Sequence, residues 1–414
     1  MVYIFFVLLT IFLVKDVRRT IIVYAPFKFF FITGTALFGK FDFDVVVSIM
    51  AFLLYAQKYK VDLKSIPWIA GILVSLTSYF LYCIYPTPHL LILVQRIFSV
   101  EIYAIIFFCS IRTIEDIKLF MKSALVYAML LVGNGIIDFA SGTNILGNVQ
   151  ASMLRPGTFL SENDMERFLG KRIRSFVPHS IGFGVECACL LFLIVFAQLK
   201  SQFKLRKNTF LIVAICLGFG ILLSGSRTPL LGAMLFIVPF VFGTRLSPKY
   251  VLMMFAAFIG VYIVAGDYIS NMLGSLMSEN KVDDAGGSSM DMRQMQLEYS
   301  LFVFYQNPIW GQGPDFDIFS AGKQNEIMGA ESIWFPILMK QGIIGVIGYL
   351  FFYFAFIKNI LKSSYKFFLI FFILGWLVID SATNLPGITF FFPMMIATII
   401  YKFGSINHFT QKHT

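Results

Sequence analysis

Charged residues are scarce in this sequence: Asp, Glu, Lys and Arg together make up only 14% of its 414 residues. An average soluble domain carries about 25% of these residues, so the scarcity excludes an ordinary water-soluble fold. The chain also lacks any polar stretch long enough to bury a core of its own, which excludes an attached soluble ligand-binding domain. It is instead 58% hydrophobic and 17% aromatic, as expected of a protein whose solvent is the lipid bilayer.

Cysteine and histidine are also few. The five cysteines all fall inside apolar stretches, which argues against disulfides and thiolate metal sites. The four histidines, at positions 89, 179, 408 and 413, are too scattered to indicate a metal cluster. The sequence therefore predicts neither a metal ion nor a cofactor.

Apolar stretches follow one another along nearly the whole chain. A hydrocarbon core about 30 Å thick needs about 20 apolar residues per helix. Cutting at charged and Gly/Pro-rich positions yields spans near 2–14, 21–38, 43–57, 66–85, 89–110, 119–138, 179–198, 208–223, 228–243, 249–265, 332–357, 365–380 and 385–402. We predict a single all-α integral membrane domain, residues 1–414, with about 12–13 transmembrane helices.

Basic residues sort the connections between these spans into two sets. The net charge of +10 comes largely from lysines and arginines in alternate connections, which marks the cytoplasmic side and does not require nucleic acid as a partner. Two connections on the opposite side are long, at 139–178 and 266–331. We expect function there, and we expect a short amphipathic helix from Met290 to Tyr305 to lie against the membrane surface.

The turn Ser224-Gly225-Ser226-Arg227 joins two apolar spans at the extracytoplasmic surface. The planar guanidinium of Arg227 can bind a phosphate through two parallel hydrogen bonds. Pyrophosphate is the anion that a membrane lipid would present there. An interfacial arginine that reaches lipid headgroups is the alternative.

Arg293 lies in the helix-like run that precedes Asn307-Pro308-Ile309-Trp310-Gly311-Gln312-Gly313. On residue chemistry alone we expect it to form a salt bridge, to Asp291 or Glu298. Gly311 and Gly313 indicate a turn, since two glycines make no phosphate loop.

Glu331 stands where the second long loop re-enters the membrane, eleven residues before Gly342-Ile343-Ile344-Gly345. Partial desolvation there suits a general base, and a helix N-terminal acid is the alternative. We expect Gly342 and Gly345 to permit close helix packing.

Other charged residues are candidates for substrate binding. Arg96 and Glu101 share one apolar span, where charge is costly, so they line a substrate groove or form a structural ion pair. Arg172, Arg174 and His179 lie where the first long loop returns to the membrane, and the basic character of that loop indicates an anionic ligand.

In their order, these motifs resemble the Wzy-type O-antigen polymerases and the related O-antigen ligases. The shared signature is a Ser-Gly-Ser-Arg turn, an arginine at the start of a periplasmic helix ahead of Asn-Pro-Ile-x-Gly-x-Gly, and a polar pair eleven residues before Gly-Ile-x-Gly. The match covers about residues 172–350. The ligases usually carry His-Asn as the polar pair, where this chain has Glu331-Ser332.

The resemblance implies a GT-C-like glycosyltransferase bundle in the bacterial inner membrane, with its active site facing the periplasm. It implies metal-independent, inverting transfer of a glycan from an undecaprenyl-pyrophosphate carrier to a sugar hydroxyl. Arg227 and Arg293 would then stabilise the pyrophosphate, and Glu331 would accept the proton. A membrane protein that regulates chain length is a candidate partner.

Two other functions stay open. A ligase would transfer the polymer to a lipid A-core sugar. A flippase for lipid-linked oligosaccharides would not be an enzyme, and it would line a central cavity with charge from several helices. The concentration of charge in the long outer loops argues against a flippase, and the pair Glu331-Ser332 in place of His-Asn argues against a ligase.

Overall fold

The structure is a computed structural model that describes residues 2–31, 35–38, 41–84, 97–154, 166–167, 170–200, 203–243, 290–313, 316, 318, 330–361, 363–384 and 390–412. Within these ranges it contains fourteen α-helices and two very small antiparallel hairpins, which confirms the predicted all-α fold class. The helices are α1 (Val2–Lys15), α2 (Val17–Tyr24), α3 (Phe43–Lys58), α4 (Ile69–Ile84), α5 (Tyr103–Ser110), α6 (Ile114–Ser141), α7 (Ile145–Ala151), α8 (Ser180–Lys200), α9 (Lys207–Leu223), α10 (Arg227–Gly243), α11 (Met290–Gln306), α12 (Trp334–Ile360), α13 (Lys366–Ala382) and α14 (Phe391–Lys412).

Shorter elements connect these helices. Strand β1 (Ala36–Phe38) pairs with β2 (Phe41–Asp42), and β3 (Glu166–Arg167) pairs with β4 (Gly170–Lys171). Two 3-10 turns cover Ala25–Phe30 and Leu63–Ser65, and a π-helical turn covers Ile97–Ile102 ahead of α5.

By length and composition, three of the described helices are long and apolar enough to cross a membrane, namely α6, α8 and α12, and the length of α12 includes a reversal at Gly342 that is described below. Further apolar helical segments of 10–17 residues are Val2–Lys15, Ile69–Phe80, Ile97–Ser110, Lys207–Leu223, Arg227–Phe240 and Phe391–Ile406. These findings agree with an all-α membrane protein. The count of 12–13 crossings stays a prediction, and the predicted span 249–265 lies outside the described residues.

Helices α10 and α13 pack closely and run antiparallel. Gly232 of α10 lies against the side chain of Ile379, and further along α10 the ring of Phe236 stacks on Phe372 of α13 with centroids 4.6 Å apart. The start of α10 therefore faces the end of α13. We call this end of the bundle, marked by residues 224–227 and 380–383, the motif end.

Helices α4 and α12 approach so closely that only glycine fits between them. A Cβ atom on Gly71 would lie 2.2 Å from the backbone nitrogen of Phe352, and one on Gly348 would lie 2.3 Å from that of Ser75. Both distances are far below van der Waals contact. These two glycines therefore allow the close approach of α4 and α12.

The chain reverses direction within α12. The ring of Trp334 lies 6.3 Å from that of Tyr349 and 6.4 Å from that of Tyr353, whereas a continuous helix would separate Trp334 from Tyr353 by about 28 Å. The reversal occurs at Gly342, whose φ of 59° and ψ of −155° are not helical. The predicted span 332–357 coincides with α12, but it is not one continuous helix, because α12 comprises a first arm (334–341) and a second arm (343–360) folded against each other.

A turn at residues 307–313 holds this reversal. Breaking a helix leaves carbonyl groups at the end of the first arm and N–H groups at the start of the second without helical partners. The turn supplies both kinds of partner through four backbone hydrogen bonds: Gln312 N to Met339 O (2.8 Å), Gly313 N to Lys340 O (3.0 Å), Ile343 N to Pro308 O (2.9 Å) and Ile344 N to Ile309 O (3.4 Å). The two glycine-containing motifs of the sequence thus form one interlocked structure.

The glycines of these motifs have different roles. We expected Gly342 and Gly345 to permit close packing. Gly345 permits close packing between the two arms of α12, where an added Cβ would lie 2.2 Å from Cβ of Gln341. Gly342 makes the reversal itself, and Gly311, with φ of 74°, approaches the backbone at Lys340.

Candidate functional site

Arg293 and Glu331 form an ion pair between α11 and the segment that leads into α12. The Nε atom of Arg293 donates to Oε2 of Glu331 over 3.1 Å. The expected salt bridge of Arg293 is present, but its partner is Glu331. Glu298 instead accepts from Gln294, and the side chain of Asp291 lies outside the described part of the chain. The two side chains are 39% and 36% exposed, so a ligand can reach both.

Hydrogen bonds anchor the segment around Glu331 to the motif end. The backbone N–H of Ile333 donates to the carbonyl of Asp380 over 3.1 Å, and the indole N–H of Trp334 donates to Oγ of Ser381 over 3.2 Å. Both acceptors belong to the last turn of α13. Glu331, two residues before Ile333, therefore lies near the end of α13. Arg293 lies near the same helix end because it is bound to Glu331.

The Ser224–Arg227 turn lies at the same end. Gly225 adopts φ of 60°, which glycine tolerates best, and the Ser224 hydroxyl, which is buried, donates to the carbonyl of Ile221. Arg227 is the first residue of α10. A cation there is disfavoured by the helix dipole, and the start of α10 faces the end of α13. The start of α10, with Arg227 as its first residue, and the Arg293–Glu331 pair thus both lie at the motif end.

Arg172 and Arg174 flank the Ser224–Arg227 turn. The backbone N–H of Ile173 donates to the carbonyl of Leu223 over 3.1 Å, directly before the turn. The chain is then fixed at Ser175, which has φ of 54° and donates to the carbonyl of Leu131. Positive φ is uncommon for serine, so the hydrogen bonds of Ser175 hold a conformation that aims this segment toward α9 and α10.

An asparagine network completes the support for this segment. Nδ2 of Asn134 donates to Oδ1 of Asn144 (2.8 Å) and to Oγ of Ser175 (3.0 Å), and its Oδ1 accepts from the N–H of Leu146 (2.9 Å). The side chain of Asn134 is buried. The network joins α6, α7 and the arginine segment.

His179 immediately precedes α8. Its Nδ1 accepts a hydrogen bond from the backbone N–H of Ile181 over 3.1 Å. Burial, followed by the positive charge of Arg172, lowers the pKa of His179 from 6.5 to about 4. The imidazole is therefore neutral near pH 7, and any role in substrate binding would be as a hydrogen-bonding group rather than as a cation.

Two further candidates lie elsewhere. Arg96 is outside the described residues, so its predicted pairing with Glu101 stays a prediction. Glu101 is buried in the π-helical turn, close enough to Lys28 for their charges to interact. Lys28 is in turn paired with Asp44. Glu101 thus belongs to a buried group of charges on the N-terminal helices.

Sequence reasoning missed two polar residues at the motif end. Asp380 is fully buried and accepts a hydrogen bond from the hydroxyl of Tyr353. Its position in an apolar span was a usable signal. Gln296 accepts a hydrogen bond from the backbone N–H of Glu331. Its position about one helical turn after Arg293 was a weaker sequence signal.

Part of the chain that contains the site matches a known family. Residues 212–350, about a third of the chain, match the family model described as O-antigen ligase. The region is therefore similar to the O-antigen polymerase and ligase superfamily. It contains Arg227, Arg293, Glu331 and both arms of the Gly342 reversal up to residue 350. No curated protein matches the chain.

This match bears directly on function. It indicates a glycosyltransferase-like membrane enzyme with O-antigen polymerase or ligase activity on a lipid-linked oligosaccharide. The expected resemblance is thereby confirmed at the level of the superfamily, and the matched residues include Arg227, Arg293 and Glu331.

Proposed function

We propose that the protein polymerises undecaprenyl-pyrophosphate-linked oligosaccharide repeats into an O-antigen-like polysaccharide at the periplasmic face of the inner membrane. The observation that carries this proposal is the meeting of three sequence motifs around the end of α13. The Ser224–Arg227 turn reaches it from α10, and the Arg293–Glu331 pair reaches it through Ile333 and Trp334.

The reaction transfers the growing glycan to the sugar hydroxyl of an incoming repeat. The bond between the anomeric carbon and the pyrophosphate oxygen breaks, and the acceptor oxygen bonds to that carbon from the opposite face. The hydroxyl proton passes to a base, and undecaprenyl pyrophosphate leaves with the bonding electron pair. Negative charge therefore develops on the pyrophosphate.

Arg227 and Arg293 are suited to stabilise that charge. Guanidinium groups bind phosphate oxygens through paired, charge-assisted hydrogen bonds, and such groups stabilise a transition state most where little water is present. Arg172 and Arg174, held beside the Ser224–Arg227 turn, would bind a second anionic part of the substrate.

Glu331 is suited to accept the proton of the acceptor hydroxyl. In the structure its carboxylate is bound by Arg293. A pyrophosphate that draws Arg293 to itself would release one carboxylate oxygen for the acceptor. Binding of the donor lipid would in this way prepare the base, because both partners of the pair are partly exposed.

The ligase is the second candidate, favoured by the description of the matching family. Both activities use the same donor and differ in the acceptor, which is a repeat unit for a polymerase and a lipid A-core sugar for a ligase. Against the ligase stands the pair Glu331-Ser332, where the resemblance leads us to expect His-Asn.

The test is a glycan ladder on a gel from a deletion strain complemented with wild type, Arg227→Ala, Arg293→Ala or Glu331→Gln at matched membrane abundance. Arg19→Ala is the control, since Arg19 is 70% exposed and bonds only locally to Asp16 in the salt bridge described. We expect single-repeat product from the three site variants and a full ladder from the control.

Other outcomes would overturn the proposal. Polymer that accumulates on the carrier lipid would identify a ligase. Repeats trapped on the cytoplasmic side would identify a flippase. A full ladder from both arginine variants would refute the pyrophosphate-binding role of these residues.

A further inference from the structure

Gln296 is a buried polar residue on α11 that the proposed chemistry does not use. Its side chain is only 2% exposed, although glutamine is usually found at protein surfaces. It follows Arg293 by three residues, so both side chains lie on neighbouring positions of one helix face. That face is directed to Glu331.

The two residues hold Glu331 at two different points. The Oε1 atom of Gln296 accepts a hydrogen bond from the backbone N–H of Glu331 over 3.0 Å. Arg293 binds the carboxylate of the same residue. Backbone and side chain of Glu331 are thus both fixed by α11.

The amide of Gln296 forms a hydrogen bond through its oxygen but not through its nitrogen. Its Nε2 atom is buried and has no hydrogen-bond partner within the described part of the chain. A buried donor without an acceptor costs about 1–3 kcal/mol, and an apolar side chain of similar size would avoid that cost. Gln294, on the exposed side of the same helix, shows the contrast, because its amide nitrogen donates to Glu298 over 2.9 Å.

We propose that Gln296 is a positioning residue for Glu331. Its side-chain carbonyl oxygen fixes the backbone of Glu331. Its amide N–H donates a hydrogen bond to the Glu331 carboxylate when a pyrophosphate binds Arg293 in place of that carboxylate. This inference rests on the proposed function, since it requires Glu331 to act as the base. Gln296 itself touches neither the reacting carbon nor the transferred proton.

The consequence is a carboxylate that stays oriented when it loses its arginine. Without a replacement partner, the released side chain would rotate freely, and the acceptor hydroxyl would meet it in the reactive geometry less often. Loss of Gln296 should therefore lower kcat and leave the KM for the donor lipid nearly unchanged, because Arg227 and Arg293 are still present to bind it.

The test uses the full-length protein in lipid nanodiscs with the lipid-linked repeat extracted from the deletion strain. Gln296→Met removes both hydrogen bonds of the amide at similar size. Gln296→Glu keeps an acceptor for the backbone N–H of Glu331 but replaces the N–H donor by a second carboxylate oxygen. Gln294→Met is the matched control on the exposed side of α11.

We expect Gln296→Met and Gln296→Glu to lower kcat by about 10- to 100-fold, with KM changed less than about twofold and with Gln294→Met like wild type. We also expect the Gln296→Met/Glu331→Gln double variant to be no slower than Glu331→Gln alone, because a residue that acts only through Glu331 has nothing left to position.

Failure of the proposed function and failure of the positioning role of Gln296 would give different results. If Glu331→Gln turns over like wild type, the base assignment in the proposed function is wrong and the role of Gln296 falls with it. If Glu331→Gln is slow while both Gln296 variants are normal, only the positioning role is wrong. Multiplicative losses in the double variant, or a change confined to KM, would equally refute positioning through Glu331.

Discussion

Replacing Gly342 by alanine should disrupt both the stability of the protein and its activity. At φ of 59° and ψ of −155°, a residue with a Cβ atom is strained by about 1–3 kcal/mol. The added methyl carbon would also lie 2.7 Å from Gly311 N, Ile309 O and Pro308 O. These are backbone atoms of the 307–313 turn, which cannot rotate aside as a side chain would.

Overpacking of this kind costs about 1–3 kcal/mol, so we expect Gly342→Ala to lower the free energy of unfolding by about 2–6 kcal/mol in total. Because Glu331 leads directly into the first arm of the reversal, we also expect loss of glycan elongation. The assay is the midpoint of thermal unfolding in detergent, followed by size-exclusion chromatography.

The matched control is Gly133→Ala in α6, where an added Cβ would meet no atom within 4 Å. Alanine is the better helix former by about 1 kcal/mol, so this variant should be at least as stable as wild type. Equal unfolding midpoints for the two variants would refute the assignment of Gly342 as the point of reversal.

Three further predictions test the surroundings of the site. Because the pKa of His179 is lowered to about 4, folding should become less favourable as the pH falls from 6.5 toward 4, by up to about 3 kcal/mol; His179→Gln should flatten that part of the stability profile, and an unchanged profile would contradict it. Asn134→Ala should destabilise the protein by about 1–3 kcal/mol and raise the KM for the donor lipid, since its network holds Arg172 and Arg174; unaltered KM would show that these arginines do not bind the donor. Arg293→Ala should change the unfolding midpoint little, because an ion pair that is 39% and 36% exposed contributes at most about 1 kcal/mol, yet it should abolish elongation; a large loss of stability would indicate a structural role instead.

Local signals predicted several parts of the site correctly. The helix predicted from Met290 to Tyr305 is observed as Met290–Gln306, because helix-forming residues and a preceding turn-forming segment define it locally. The turn before Arg227 follows equally from composition. We expected Arg293 to form a salt bridge and it does.

The partners in long-range contacts could not be predicted in the same way. Glu331 is 38 residues from Arg293 in sequence, and local spacing favoured Asp291 or Glu298 instead. The reversal at Gly342 was missed because hydropathy is the same whether an apolar stretch continues or folds back. The reversal depends on backbone hydrogen bonds from the 307–313 turn, and hydropathy carries no information about these bonds.

The central claim is that Arg227, Arg293 and Glu331 form one site for glycan transfer from a lipid pyrophosphate. The most direct measurement is mass spectrometry of products formed by purified protein in nanodiscs that contain only the lipid-linked repeat. We predict carriers with two or more repeats and one released undecaprenyl pyrophosphate for each bond formed, with both products formed far more slowly by Arg227→Ala, Arg293→Ala and Glu331→Gln. Elongation at the wild-type rate by these variants, or transfer by the wild type only when lipid A-core is added, would contradict the account.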